Sequence, residues 1–515
     1  MSEKLARLHP DTYVDSVRLM AAVRAMETSP GVQRAFALMA TPANIAVLGG
    51  AGFDDPSISA AGANDLVIVV AAGSAEEAET AMAAGEAALT TGGAATAEAA
   101  GRSDRARTFD EALGELPGAN VAVVSVPGPF AALEAHKALT AGLHVLLFSD
   151  NVPLEDEVRL KERAAELGLF VMGPGAGTAM VGGVGLGFAN AVRPGSVGIV
   201  AAAGTGAQEV MSLLHRWGSG VADLVGIGGR DLSEPVGARM AAMAVRAFYE
   251  DPRVHAVLLV SKPPAPAVVE RLIEGLGAKP TVVALLGLEA DLPVPDGVLV
   301  ARTLEDAVML TLGSVGLPRP VRSAEIRAEV EAAIAALPEA RTAVRGLFSG
   351  GTLCYESMVV LSPHVGPVRS NTPLRDGWGL PAPERAHVCL DLGEEEYTRG
   401  RPHPMIDPEA RVEMIAEQVR DPSTAVILLD VVLGFGSHPD PASMLAPACS
   451  EATSLPDGPA VVVYLLGTDR DPQGLDRQRE RFAQAGCLLA PTGARSALMA
   501  AAIAERRPEL VEELG

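Results

Sequence analysis

The chain has 515 residues and is 48% hydrophobic but only 3% aromatic, with a formal net charge of −23. That length exceeds what a single hydrophobic core serves, so two to four domains of about 100–200 residues are expected, packed by aliphatic strands and alanine-rich helices. Acidity on this scale serves solubility and repels nucleic acid and anionic membrane surfaces, so neither is expected as a partner.

The first ten residues lack the apolar stretch of a secretory signal. No 18-residue apolar run free of charge or turn residues follows, and a cytoplasmic location is expected. The run from Asn44 to Gly52 ends in glycines like a dinucleotide-binding turn. It is followed by Phe53-Asp54-Asp55-Pro56, which does not open the helix that motif needs, so it is not read as one. The piece from Ala71 to Ala100 is low in complexity, yet its Ala/Glu content suits a surface helix, with Ser74 to Leu89 helical. Unbroken apolar runs then predict strands of a parallel sheet buried on both faces. They are Val121 to Val126, His144 to Phe148, Val197 to Ala201, Val254 to Val260, Thr281 to Leu286, Ala425 to Leu429 and Ala460 to Leu465. Helical stretches fall between them at Ala131 to Ala141, Glu155 to Leu167 and Gln208 to Trp217. Turn-rich segments at 191–196 and 316–345 place domain edges near 192 and 335, giving domains 1–192, 193–335 and 336–515. Cys354, Cys389, Cys449 and Cys487 have no CxxC or metal-ligand spacing and read as buried thiols, and no metal site is expected.

The last 320 or so residues read as a duplication. After Val197-Gly198-Ile199-Val200 comes Gly204-Thr205, and after Arg345-Gly346-Leu347-Phe348 comes Gly351-Thr352, each with a glutamate four residues past the threonine, Glu209 and Glu356. The runs His255 to Val260 and Thr424 to Leu429 correspond, as do the runs ending Leu286-Gly287 and Leu466-Gly467. A strand that ends in glycines and enters a helix aims free N–H groups and the positive helix end at one spot, which favours an anion. One such turn is equally explained by ordinary N-capping. Two in duplicated domains predict a pair facing one cleft.

Two basic clusters follow strand-like runs in corresponding places, Gly228-Gly229-Arg230-Asp231 and Arg399-Gly400-Arg401-Pro402-His403. Their arginine forks and histidine suit a carboxylate or phosphate, and structural ion pairs to nearby acids explain them equally well.

The order Val171-Met172-Gly173-Pro174, Gly198-Ile199-Val200, Gly204-Thr205 and Val225-Gly226-Ile227-Gly228-Gly229 resembles the α subunit of succinyl-CoA synthetase. The second repeat resembles the CoA-ligase domain of its β subunit. The strings from Thr41 to Asn44, Phe148 to Val152, Gly229 to Ser233, Ser261 to Pro264, Gly400 to Pro408 and Leu429 to Gly436 resemble the FdrA family, over nearly the whole chain. The resemblance implies an α/β protein with a Rossmann-like, CoA-binding-type N-terminal domain and two duplicated flavodoxin-like, doubly wound ligase domains.

Synthetases of this class carry phosphate on a histidine in a Gly-His-Ala-Gly turn. Here the matching stretch reads Gly287-Leu288-Glu289-Ala290-Asp291, and no histidine lies between His255 and His364. The ATP-grasp domain is missing too. The FdrA resemblance implies instead one subunit of a carbamoyltransferase acting on oxamate or a related amide or ureide in allantoin-type nitrogen catabolism. It would work with further protein subunits, exchange carbamoyl phosphate and phosphate, feed a carbamate kinase, and require no cofactor. CoA or a nucleotide in the N-terminal domain stays open. On that reading Gly204, Thr205, Gly351 and Thr352 hold the phosphate side, and Arg230, Arg401 and His403 the substrate carboxylate or developing charge. Where the family has Gly-Pro-Asp-Cys-Gly-Thr, this chain has Gly173-Pro174-Gly175-Ala176-Gly177-Thr178, a loss that points to another acceptor. An acyl-CoA synthetase subunit with a separate ATP-grasp partner and a non-catalytic assembly subunit are the alternatives.

Overall fold

A computed structural model describes residues 3–10, 12, 14, 16–53, 55–62, 65–97, 106, 108–288, 292–320, 325–399 and 401–512. Gly400, residues 289–291 and the end of the Ala71 to Ala100 piece lie outside them. Packing divides the chain into two units, Met1–Leu116 and Pro117–Gly515.

The first unit is built on β1 (Glu3–His9), β2 (Val32–Met39) and β3 (Leu66–Ala72), in the order β1-β3-β2, with both outer strands antiparallel to β3. This is the strand order of a split βαβ unit. All seven residues of β3 are buried. Leu66, Ile68 and Val70 enter a core shared with Ala22 and Met26 of the helix Ser16–Glu27 and Ala78, Ala81 and Met82 of the helix Ala75–Ala97. Val67, Val69 and Ala71 enter a second core with Leu48, Phe53 and Ile58 on the other face. The alanine-rich helix buries one face in this core and exposes Glu76, Glu79 and Ala83 on the other, as a surface helix does. Residues 42–50 form a helix, so the declined glycine-rich turn is no strand-to-helix junction.

The expected Rossmann-like domain 1–192 is thus corrected. Its parallel part begins after residue 116, since the three strands before it form a separate antiparallel sheet that the resemblance did not imply. In the second unit β4 (Val121–Val124), β5 (His144–Leu147) and β6 (Val171–Met172) form a parallel sheet crossed by the helices Gly128–Thr140 and Leu154–Leu167.

A seven-stranded sheet follows, made of β7 (Thr178–Val181), β8 (Val184–Gly187), β9 (Pro194–Ala201), β10 (Val221–Gly226), β11 (Ala256–Ser261), β12 (Thr281–Leu285) and β13 (Val298–Ala301). A six-stranded parallel sheet closes the chain with β14 (Ala343–Phe348), β15 (Val368–Arg369), β16 (His387–Asp391), β17 (Thr424–Val432), β18 (Ala460–Leu466) and β19 (Leu488–Ala490). The order β13-β12-β11-β9-β10 in one sheet repeats as β19-β18-β17-β14-β16 in the other. The duplication is thus visible as topology. The repeats differ at one edge, where the first adds the antiparallel hairpin β7–β8 and the second adds β15. Because Met180 of β7 pairs with Leu224 of β10, the expected edge at residue 192 does not separate two sheets.

Four helices, Gly204–Arg216, Leu304–Ser314, Gly351–Val365 and Gly493–Ala504, pack on one another between these sheets in one continuous core. All twelve residues of Gly493–Ala504 are buried, which its alanine-rich sequence allows at close helix spacing. The matched glutamates lock this layer crosswise. Glu209 accepts from the Gly493 amide at 3.3 Å and from Tyr464 Oη, while Glu356 accepts from the Leu304 amide at 2.6 Å. Each repeat thereby caps the last helix of the other. Asn190 and Asp471 add a second tie: Asn190 Nδ2 donates to Asp471 Oδ2 at 2.8 Å, and the Ala191 amide donates to Asp471 Oδ1 at 2.8 Å.

Candidate functional site

The strand β9 runs through Ala202 and Ala203 into the helix at Gly204, and β14 runs through Ser349 and Gly350 into the helix at Gly351. Neither helix has a side-chain cap. The two starts touch: Thr205 Oγ1 accepts from the Thr352 amide at 3.2 Å. A Cβ on Gly206 would lie 2.9 Å from Thr352 Cγ2, and one on Gly350 would lie 2.8 Å from Thr205 Cγ2, so only glycine lets the ends approach this closely. Among the described residues the amides of Gly204, Thr205, Gly206, Gly351 and Leu353 have no hydrogen-bond partner.

These starts line a cavity of about 420 Å³, together with Thr178, Phe188, Lys262, His403 and Met405. The sequence-derived residues Gly204, Thr205, Gly351, Thr352 and His403 thus come together. Lys262 follows the last residue of β11, and its Nζ lies 3.2 Å from where a Gly351 Cβ would be. Among the described residues this ammonium has neither a hydrogen bond nor an ion pair within 4.0 Å; it lines the cavity, with the Asp391 carboxyl an acid that acts on it from beyond that distance. Thr178 is buried on β7, and its Oγ1 has no partner among the described residues although it sits 4.0 Å from the Gly204 Cβ position. Two helix ends, a free ammonium and an unpartnered hydroxyl converge on one volume. Their shared chemistry is the binding of a small, doubly charged anion.

Acidic groups brace the second helix start. Asp430, at the buried end of β17, accepts from the Ser349 and Gly350 amides, each at 2.7 Å, and pairs with buried Arg411 at 3.1 Å. Arg411 also donates to the Leu347 and Asp430 carbonyls at 2.9 and 2.5 Å. Asp391 ends β16 beside Gly351, where a Cβ would overlap its carboxylate. Burial pushes the Asp391 carboxyl up to about 6 against the opposing pull of Lys262.

His403 is half-buried, with its ring 6.1 Å from that of Phe188. Its Nδ1 accepts from the Met405 amide at 3.2 Å. Desolvation, with help from Arg411, brings its pKa down to about 4, so the ring is neutral at physiological pH.

Two expected site residues stand elsewhere. Arg230 Nε lies 2.8 Å from Glu157 Oε2 and its Nη2 donates to the Val152 carbonyl, away from the cavity lining. The cause is Glu157, a fully buried carboxylate that also pairs with Lys161, itself bound to Asp231 at 2.9 Å. Arg401 is 60% exposed and 3.8 Å from Glu413, also outside the lining. The local acids took both guanidinium groups. Lys262 and Asp430 were the missed residues with a readable signal, each a lone charge against an apolar run, Lys262 just past β11 and Asp430 two residues before the end of β17. Nothing in the sequence marked Asp391 or Thr178.

The family model described as CoA-ligase matches residues 347–503, and that described as AllF, heavy metal-associated domain, matches residues 1–106. The uncharacterised protein YahF of Escherichia coli (strain K12) is 39% identical over 97% of this chain and 98% of its own length. The succinate–CoA ligase [ADP-forming] subunit alpha 2 of Archaeoglobus fulgidus is 33% identical over 28% of this chain, which spans about half of that subunit. Among solved structures, the apo dinucleotide-forming acetyl-coenzyme A synthetase 1 of Ca. Korarchaeum cryptofilum shares 16% identity over 77% of this chain and 85% of its own, with a TM-score of 0.30.

The described residues supply no metal-ligand set in the first unit, and the cavity at the paired helix ends does not match CoA. Residues 1–106 contain no cysteine, and their one histidine, His9, lies 3.2 Å from Glu86. Among the described residues no group of three or more His, Cys, Asp or Glu could hold a metal ion. CoA carries several phosphate groups, whereas Lys262 is the single cation on the cavity wall and Asp150 adds a negative charge. Among the described residues no helix is long and apolar enough to cross a membrane. On its near-complete match, the chain belongs to the family of YahF, and it carries a CoA-ligase domain of the succinyl-CoA synthetase type in its C-terminal part.

Proposed function

We propose that this protein is an FdrA-type subunit of a carbamoyltransferase, exchanging carbamoyl phosphate and phosphate against an amide or ureide in nitrogen catabolism. The observation that carries the reading is the convergence of the Gly204 and Gly351 helix starts, the Thr178 hydroxyl and the unpaired Lys262 ammonium on one small cavity. Such a site holds a free dianion by hydrogen bonds and charge, and needs neither nucleophile nor phosphate carrier. Oxamate is the family's acceptor; the changed Gly175-Ala176 pair favours a related amide or ureide here. Further subunits complete the complex, and a carbamate kinase consumes its carbamoyl phosphate.

The test is phosphate-dependent breakdown of carbamoylated amides and ureides by the protein reconstituted with the subunits that co-purify with it. Carbamoyl phosphate is the expected product, trapped by a carbamate kinase and ADP as ATP. No exchange with any such compound sinks the proposal.

The CoA-ligase match over residues 347–503 favours a second reading, a ligase subunit completed by a separate ATP-grasp chain. CoA-dependent ATP hydrolysis by the same reconstituted complex would distinguish it.

A further inference from the structure

The cavity lining carries two kinds of chemistry. Helix amides, Thr178 and Lys262 offer donors and positive charge. Phe148, Phe188 and His403 form an aromatic wall, with Phe148 and Phe188 ring centres 5.9 Å apart and Phe188 and His403 6.1 Å apart. A phosphate satisfies the first set only. The wall suits a flat, uncharged group, and it contains one polar atom whose hydrogen is fixed by the backbone.

That atom is Nε2 of His403. The Met405 N–H donates to Nδ1 at 3.2 Å, so Nδ1 must carry the lone pair and Nε2 the hydrogen. Nε2 is the atom closest to the Gly393 Cβ position, at 2.7 Å, and Gly393 itself lines the cavity, so a side chain there would push on the ring. The charged groups around the ring are Arg411, which opposes a second proton, and Asp391, whose Oδ1 is held by the Gly393 amide at 3.1 Å. Burial and Arg411 together keep the imidazole uncharged. The ring is therefore a poor acid and an unsuitable partner for a carboxylate.

We propose that His403 is a catalytic residue that donates a hydrogen bond from neutral Nε2–H to the carbonyl oxygen of the group being transferred, while the helix ends and Lys262 hold its phosphate. The inference rests on the carbamoyl-transfer reading and assigns the remaining part of the same site. In the transfer, the acceptor nitrogen forms a bond to the carbamoyl carbon, the carbon–oxygen bond to phosphate breaks, and its electron pair leaves on phosphate. The proton lost by the nitrogen ends on that phosphate. His403 keeps its own hydrogen throughout, and its role is to stabilise the negative charge that builds on the carbonyl oxygen.

The experiment uses the full chain labelled with 15N-histidine, with the His403 signals assigned by their absence in His403→Gln. Phosphonoacetamide, an unreactive analogue holding both a carbamoyl and a phosphonate group, is compared with inorganic phosphate. The expected result is an Nε2-protonated ring that does not titrate between pH 5.5 and 8, and whose Nε2 signal moves with phosphonoacetamide but not with phosphate. A ring that titrates near 6.5, an Nδ1-protonated ring, or equal responses to the two ligands, including none, overturns the proposal. In the reconstituted complex, His403→Phe should lower kcat by about 10²–10³-fold with the KM for phosphate changed less than threefold, and His403→Gln, which keeps an N–H, should recover at least a tenth of the activity. Equal losses in both variants also overturn it. If phosphonoacetamide moves His403 as expected but the wild-type complex exchanges nothing, the carbamoyltransferase reading fails and the histidine assignment stands.

Discussion

The two repeats have the same strand order and the same glycine-threonine helix start, yet they treat that start differently. Aligned on Gly204 and Gly351 through the strand registers, Val260 and Lys262 at the end of β11 correspond to Asp430 and Val432 of β17. In the first repeat this places a free ammonium in the cavity. In the second it places a buried carboxylate that takes up the Ser349 and Gly350 amides and is anchored by Arg411. Both helix ends line the cavity, but the first half supplies its cation and the second supplies the brace. A duplication can keep a backbone device twice while its charges diverge, because topology depends on the apolar strands and the site depends on a single charge near the end of each.

The largest break in that comparison should come from the bracing side. Asp430→Ala leaves the buried Arg411 guanidinium without its counter-charge, which should cost about 3–5 kcal/mol of unfolding free energy in urea titration. In the first repeat, where Val260 takes the matching position, the neighbouring Ser261→Ala should cost far less. Equal costs would mean that bracing is not confined to the second repeat.

The crosswise glutamates sharpen the comparison through pH. Burial lifts Glu209 from 4.5 to about 7, with Tyr464, the Gly493 amide and Arg216 opposing and Glu305 adding to the rise. A raised carboxyl value means the folded chain holds a proton that the unfolded chain has already lost. Stability should therefore fall as pH rises from about 4.5 to 7 and level off above, by on the order of 3 kcal/mol for this group. Glu209→Gln should flatten the fall and raise the urea midpoint at pH 8. Burial raises Glu356 as well, so the double variant should flatten it further. A wild-type midpoint that rises from pH 5 to 8 would contradict this account.

A smaller effect is expected on the binding side. Lys262→Met removes the charged donor and should weaken phosphate binding roughly 10- to 100-fold, the worth of about 1.5–3 kcal/mol for a charged hydrogen bond, with little change in the urea midpoint. The smallest belongs to Arg401. Its pairing with Glu413 at 3.8 Å lies outside the cavity, and Arg401→Ala should change phosphate affinity and complex activity by less than about twofold. A tenfold loss would return Arg401 to the site.

Much of this was legible in the sequence. Long apolar runs located β4, β5, β9, β11, β12, β17 and β18, and the repeated Gly-Thr turns located the cavity. The arginines were not legible, since whether Arg230 reaches a ligand depends on Glu157 lying buried beneath it, 73 positions away along the chain. The N-terminal unit was missed for another reason. Its class was carried over from the resemblance, and its central strand β3, buried on both faces in an antiparallel sheet, was not among the apolar runs read as strands. His403 was found, but as a charge carrier; its neutrality depends on desolvation and on Arg411, eight residues later and fully buried.

The most direct measurement is calorimetric titration of the purified chain with phosphate and with carbamoyl phosphate, comparing wild type with Lys262→Met. One anion bound per chain, with affinity at least tenfold weaker in the variant and competition between the two anions, is the predicted result. No binding, two independent sites, or an affinity unchanged by the substitution would contradict a single anion site shared by the paired helix ends.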